Sequence, residues 1–452
     1  MKYLTVDFGS TYTKLIAINA ENATVVGKAS AFTTINTNIM DGYNLALQEL
    51  EARIGRFEYN QLLCCSSASG GLKMIAIGLV PELTAKAAKM AASSAGAKVV
   101  KTYSFEISKT EQEEIYTINP DLILLCGGTD GGNKEVIIAN AKHLATIKRN
   151  FSVIVAGNKC ASSQIEHILH EAGKDYVITD NVMPTFNVLR IDPAKKSIKD
   201  LFIKKIIEAK GLSAVQQMAS GDVIPTPLAV MSACELLSRG TNRTNGIGEL
   251  IAVDLGGATT DVYSMADGKP VMNNILEKGL PEPFSKRTVE GDLGMRYSLT
   301  SLVEEMGIEE KGKVQQWVSQ CINNPGILAS AGSEESLMEE LLARSAVEIA
   351  VERHCGFMES SYSPMGEIFI LSGKDLTEVP FIIGIGGAII NSNNPVNILK
   401  GALFNPKKYN RMKPKHPKYM LDRKYIFASM GLLSSVDPEL ALNIMKKELE
   451  IL

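Results

Sequence analysis

Asp254-Leu255-Gly256-Gly257-Ala258-Thr259-Thr260-Asp261 repeats a device that the chain has already used near its start, Asp7-Phe8-Gly9-Ser10-Thr11-Tyr12-Thr13-Lys14. Each stretch ends a short run rich in β-branched and apolar residues, Lys2–Phe8 and Glu249–Asp254, and each leads into another such run. That pattern reads as strand, glycine turn, strand: a β-hairpin rather than a strand followed by a helix. A recurrence separated by about 250 residues predicts a duplicated core, with two related halves facing each other across a cleft.

The same two stretches carry chemistry. A tight turn with glycine brings backbone N–H groups up to an anion with no Cβ in the way. Ser10, Thr11 and Thr13 add hydroxyls to the first turn and Lys14 adds charge, while Thr259 and Thr260 add hydroxyls to the second. Asp7 and Asp254 stand where a strand ends, a place from which a carboxylate holds Mg²⁺ through water, since that ion keeps much of its hydration shell. Taken singly, each stretch is also what a plain hairpin with a polar turn looks like. The pair is far more specific than either member. A third glycine turn, Gly384-Ile385-Gly386-Gly387, leads from a strand towards a helix. It lacks the spacing of a dinucleotide fingerprint and suits either a flat surface for a purine ring or a close strand–helix packing point.

Outward from these turns, Ala23–Ser30 reads as a third strand and Gly42–Ile54 as a helix. From about residue 60 short apolar strands alternate with helices (Gln61–Cys65, Val99–Phe105, Asp121–Cys126, Phe151–Ala156, Tyr176–Thr179), predicting a doubly wound, mostly parallel sheet inserted into the first half. The expected division is 1–59 as the first part of half I, 60–180 as the insertion, 181–245 as the end of half I with a connecting helix, 246–400 as half II and 401–452 as a basic arm with terminal helices. Residues 286–360 read as largely helical.

A chain of 452 residues is too long for one ordinary core and suggests two to three domains. Its formal charge of −3, from 47 basic and 50 acidic residues, argues against nucleic acid as partner. Seven cysteines with no CxxC pair read as reduced thiols, hence a cytoplasmic protein. No apolar run approaches the ~20 residues of a membrane span. A homo-oligomer stays open.

The order DFGSTYTK, PTPLAVMSACELLS, DLGGATTDV, GIGGAI resembles the actin, sugar-kinase and Hsp70 ATPase superfamily. More narrowly, CGGTDGGN (126–133), EGDLGMR (290–296), GKDLTEVPFIIGIGGAI (373–389) and DRKYIFASMGLLS (422–434) resemble the glutamate mutase accessory family, the MutL type that is unrelated to mismatch repair. The resemblance implies a duplicated actin-like, ribonuclease H-like α/β core and an ATPase of chaperone type, using ATP and Mg²⁺. Its client would be an adenosylcobalamin-dependent carbon-skeleton mutase, from which an ATP-driven change of shape releases damaged cobalamin. On the matching positions, Asp7, Gly9, Ser10, Thr11, Thr13 and Lys14 take the first phosphate loop, and Asp254, Gly256, Gly257, Ala258, Thr259 and Thr260 the second. Asp7 and Asp254 face the metal, with Asp254 near the attacking water; Gly384, Gly386 and Gly387 meet adenosine.

One departure matters. Hsp70-type ATPases carry a Glu just before the Pro-Thr of the connecting helix, and Ile224 occupies that place here. Asp222, two residues earlier, or Glu290 and Asp292 in VEGDLG are the acids that would supply the missing carboxylate. A small-molecule kinase of the same fold would instead need a substrate base, for which Asp261 or Asp292 would serve, and an actin-like filament protein would polymerise with ATP. Two further features each admit two readings. The turn Cys126–Asn133 suits a ligand or partner loop at the edge of a parallel sheet, or a turn ending in an Asn cap. His167 and His170, with Glu166 or Glu171, have metal-ligand spacing but read more simply as a solvated helix face.

Overall fold

The computed structural model describes residues 1–9, 11–34, 38–67, 73–209, 213–271, 275–307, 312–363 and 366–452. The chain forms two compact units. One comprises Met1–Val230, Gly279–Pro281 and Gly431–Val436; the other comprises Met231–Lys278, Glu282–Met430 and Asp437–Leu452. The division falls inside the helix Thr226–Arg239, upstream of the boundary expected near 245.

In the first unit, strands β1 (Lys2–Phe8), β2 (Tyr12–Asn19) and β3 (Thr24–Phe32) form an antiparallel meander. β1 carries β-branched Thr5 and Val6 and β2 carries Thr13, Ile16 and Ile18, and both strands are buried for most of their length. The helix Ile39–Ile54 then carries the chain back to β4 (Gln61–Ser66), which pairs parallel to β1. Gln61–Ser66 therefore belongs to this sheet and not to the insertion. A parallel neighbour needs a crossover, and the helix before it supplies one.

The chain next builds a separate sheet from β5 (Lys73–Gly78), β6 (Lys98–Ser104), β7 (Leu122–Leu125), β8 (Ser152–Val155) and β9 (Asp175–Ile178). Every pairing is parallel and the order is β6-β5-β7-β8-β9. β7 and β8 are buried at every position, as strands covered on both faces must be. The two-residue strand β10 (Ile224–Pro225) then returns to the first sheet beside β4, giving the order β10-β4-β1-β2-β3.

The second unit contains β11 (Leu250–Leu255), β12 (Thr260–Met265), β13 (Ile275–Lys278), β14 (Ser285–Glu290), β15 (Phe357–Ser363), β16 (Gly366–Ser372), β17 (Phe381–Ile385), β18 (Lys418–Leu421) and β19 (Glu450–Ile451). Its main sheet has the order β14-β12-β11-β17-β18-β19, and β13-β16-β15 form a small sheet of their own. β11, β12 and β14 are antiparallel neighbours, and β17 and β18 run parallel to β11. Counted from each hairpin, both main sheets place third, second, first, fourth and fifth strands side by side. This is the duplicated actin-like α/β core.

The helix Glu334–His354 lays Leu342, Ala343, Ala346, Val347, Ala350 and Val351 into the same core as Ile251, Val253, Leu255 and Ile382. Its small residues let the helix approach closely, and each buried aliphatic side chain stabilises the packing by roughly 1.5–3 kcal/mol. Residues 286–360 are less helical than expected, since β14 and β15 lie at their two ends. Nor is 401–452 a separate arm: β18 and β19 extend the main sheet, and Lys408 and the buried Lys413 reach Glu352 on the long helix. Among the described residues, no helix is long and apolar enough to cross a membrane.

Candidate functional site

The first hairpin closes by Gly9 N–H donating to Tyr12 O at 3.0 Å. A Cβ on Gly9 would lie 2.6 Å from that same oxygen, so only glycine fits there. Asp7 sits opposite Lys14 in the β1–β2 register and is 5% exposed. Its Oδ1 accepts from the Thr226 hydroxyl at 2.7 Å and from the Cys65 thiol at 3.5 Å, and its Oδ2 faces Lys14 Nζ at 3.9 Å. Burial, and the Asp7 carboxylate beside it, push the Cys65 thiol up, so it stands as a protonated donor. Thr11 is exposed on the turn, whereas Thr13 is buried with its hydroxyl 3.1 Å from that of Thr33. Thr13 thus ties β2 to the chain after β3 instead of facing outwards. Ser10 lies outside the described residues.

The second hairpin repeats this closure, with Gly256 N–H donating to Thr259 O at 2.9 Å. Asp254 sits opposite Asp261, the position that Lys14 holds in the first. Arg287 from β14, itself buried, donates to Asp261 Oδ1 from Nε at 2.8 Å and from Nη2 at 2.5 Å. Burial works against the guanidinium charge, but Asp261 and Tyr263 outweigh it and keep the group charged. Thr259 Oγ1 donates to Asp261 Oδ2 at 3.2 Å, which anchors one end of the turn to the ion pair. Thr260 is fully buried and its hydroxyl donates to Leu293 O.

A brace behind the second turn was not read from sequence. Met295 N–H donates to Gly256 O at 3.1 Å, Arg296 and Tyr297 N–H both donate to Gly257 O at 2.8 Å, and the Ser298 hydroxyl donates to Ala258 O at 2.8 Å. Gly294 makes the approach possible, since a Cβ there would fall 2.4 Å from the Ala258 carbonyl carbon. With the carbonyls of residues 256–258 taken up, what an incoming anion meets at this turn is N–H. The signal was present in EGDLGMR as a glycine between apolar residues, but a backbone brace leaves no residue-type signature.

The third glycine turn divides its three glycines between two jobs. Gly386 has φ +86°, and a Cβ there would lie 2.6 Å from Asp254 Oδ1 and 2.5 Å from Leu255 O, so this turn sits directly on the end of β11. Gly387 is exposed at the start of the short helix Gly387–Ile390. Gly384 is inside β17, buried, and its missing Cβ makes room for Ile389 and Leu421. It packs the core rather than lining a surface.

Of the three acids considered for the place of Ile224, Asp222 shares a unit with Asp7, and Glu290 and Asp292 belong to the second unit. Ile224 is level with Cys65 in the β10–β4 register, so Asp222, two residues earlier and exposed, lies back along the strand. Glu290 and Asp292 are gathered by Arg353 at 2.9 and 2.8 Å, together with Glu305 at 2.9 Å. Asp261, the other carboxylate considered as a substrate base, is held by Arg287.

Elsewhere, the turn 126–133 folds around two buried asparagines. Asn158 takes Gly131 N–H and donates to Gly132 O and Asn133 O, and Asn181 donates to Gly128 O and Asp130 Oδ1. Its polar groups hold the turn itself together. His167 pairs with Glu171 at 3.4 Å on an exposed helix face, and among the described residues no group of three or more His, Cys, Asp or Glu could hold a metal. Asp7 and Asp254, carboxylates at the ends of β1 and β11, still fit Mg²⁺, which takes one or two carboxylates and completes its shell with phosphate and water.

A family profile described as "MutL protein" matches residues 3–449. "Protein MutL" of Clostridium tetanomorphum is 48% identical over 461 residues, covering 99% of each chain. A ligand-bound xylulose kinase from Lactobacillus acidophilus is similar over 100% of this chain and 92% of its own, at 10% identity and a TM-score of 0.37. The ethanolamine utilization protein EutJ from Carboxydothermus hydrogenoformans is similar over 98% and 90%, at 11% identity and a TM-score of 0.26. Scores of that size carry no weight beside the strand order and the family match.

Proposed function

The chain belongs to the MutL protein family, and on that premise we propose that it is an ATP hydrolase of chaperone type that reactivates an adenosylcobalamin-dependent carbon-skeleton mutase, glutamate mutase being the first candidate. The observation that supports nucleotide chemistry is the pair of hairpins. Each is closed by the same glycine N–H bond and carries an aspartate at the same register position.

In this reading Gly9, Thr11 and Lys14, and Gly256, Gly257 and Ala258, receive phosphate oxygens, Gly386 and Gly387 meet the adenosine, and Asp7 and Asp254 face the metal. Mg²⁺, when bound with the nucleotide, neutralises phosphate charge and orders the water around it. Asp254 orients the attacking water; among the described residues of the first unit no second acid is bonded to Asp7, which is consistent with slow turnover. The ion pairs at Asp261 and Asp292 disfavour the kinase alternative, because a carboxylate whose oxygens are already engaged by an arginine is not placed to accept a hydrogen bond from a substrate hydroxyl. The parallel sheet β5–β9 is more than nucleotide chemistry needs, and we assign client recognition to it.

The test is reactivation. Incubating a cobalamin-inactivated mutase with the protein, ATP and Mg²⁺ should restore its activity once fresh cofactor is added, and omitting ATP should not. Phosphorylation of a sugar or acid with no reactivation would overturn the proposal.

A further inference from the structure

We propose that Thr226 is a positioning residue, which turns the Asp7 carboxylate so that Oδ2 is the oxygen on the Lys14 side, and thereby sets how much Mg²⁺ the protein needs to bind nucleotide. The inference rests on the nucleotide reading of the first hairpin.

Thr226 is the first residue of the helix Thr226–Arg239 and follows β10 directly. A hydroxyl at a helix start ordinarily accepts from the helix's own first N–H groups. Here it donates to Asp7 Oδ1, at 2.7 Å and from 219 residues away in sequence. Its placement is fixed from behind: Pro225 pairs with Ser66 of β4, and a Cβ on Gly96 would lie 3.1 Å from the Pro225 Cβ.

The consequence for Asp7 follows from counting its oxygens. Oδ1 takes both donors, Thr226 and Cys65, and Oδ2 is the one turned to Lys14. A carboxylate that is 5% exposed has few ways to replace a lost donor. Without the Thr226 hydroxyl, rotation about χ2 would exchange the two oxygens, because the thiol at 3.5 Å is a weak donor. The residue that follows Ile224-Pro225 is therefore suited to orient a carboxylate, not to abstract a proton.

Binding of a fluorescent ATP analogue to the full chain, titrated with Mg²⁺, tests this without relying on turnover. Thr226→Val should raise the Mg²⁺ concentration at half-maximal binding about tenfold, leave the weak binding in EDTA unchanged, and be rescued by Thr226→Ser. If the valine variant loses its circular-dichroism signal, Thr226→Ala is read in its place, with the same shift expected. A Thr226→Val curve that superimposes on wild type while Asp7→Asn is shifted overturns the inference alone. Wild-type protein that binds no nucleotide at any Mg²⁺ concentration overturns the nucleotide reading, and the inference with it.

Discussion

The two hairpins share a backbone and differ in where their charge comes from. In the first, Asp7 faces a cation across the strands: Lys14, whose side chain is 27% exposed. In the second, Asp254 faces another carboxylate, Asp261, a like-charge pairing that destabilises a sheet unless something neutralises it. The neutralising group is Arg287, carried by the third strand and buried with its partner. At the matching place on β3 the first sheet has Lys28, which is exposed. So the first hairpin offers a charge to whatever meets it, while the second consumes its charge internally and offers backbone and one aspartate. The same device has been kept twice, with electrostatics moved from surface to core.

Breaking the buried pair should have the largest effect. Arg287→Met leaves Asp261 uncompensated beside Asp254 and should cost about 3–5 kcal/mol of stability in denaturant unfolding. Adding Asp261→Asn to it should recover most of that loss. A double variant no more stable than the single one would show that Arg287 matters for packing, not for charge.

Next comes Asp254→Asn, which should lower ATP turnover about 100-fold or more, with thermal stability equal to wild type or higher because a like-charge pair has been relieved. Unchanged turnover would sink the assignment of this carboxylate. Lys14→Met separates the hairpins further. It should weaken nucleotide binding about tenfold and change stability little, since a partly exposed ion pair at 3.9 Å contributes at most about 1 kcal/mol. The outcome expected of Arg287, a loss of fold, would refute the contrast between the two halves.

Sequence reasoning reached the hairpins because their information is local: a strand's composition, a glycine and a strand again. It reached the strand order only as a duplication, since pairing partners such as β4 and β10 lie far apart along the chain. Gln61–Cys65 reads as a strand of the insertion but joins β1 as part of β4, because a short apolar run does not say which neighbour it will join. β18, four residues between Pro417 and Asp422, fell below what alternation can detect. At the site, Arg287 and Thr226 were invisible for the same reason: their partners stand 26 and 219 residues away. Gly384 misled in the opposite direction, since a glycine that makes room for Ile389 and one that bends a turn look alike in sequence.

The smallest effect is the sharpest test of what the second turn is for. Position 257 corresponds to Ser10 of the first hairpin, and a Cβ added there would meet nothing nearer than 3.8 Å, on the Arg296 and Tyr297 side chains. Gly257→Ser should therefore leave stability within about 0.5 kcal/mol of wild type, as surface substitutions without strain do. If phosphate approaches the backbone of this turn, the added side chain stands in its path and nucleotide affinity should fall a few-fold all the same. A parallel change at Gly386, where φ is +86° and the Cβ would strike Asp254 and Leu255, should lower stability as well as binding. Equal affinity for wild type and Gly257→Ser would mean that the second turn, unlike the first, tolerates a side chain because no ligand comes near it.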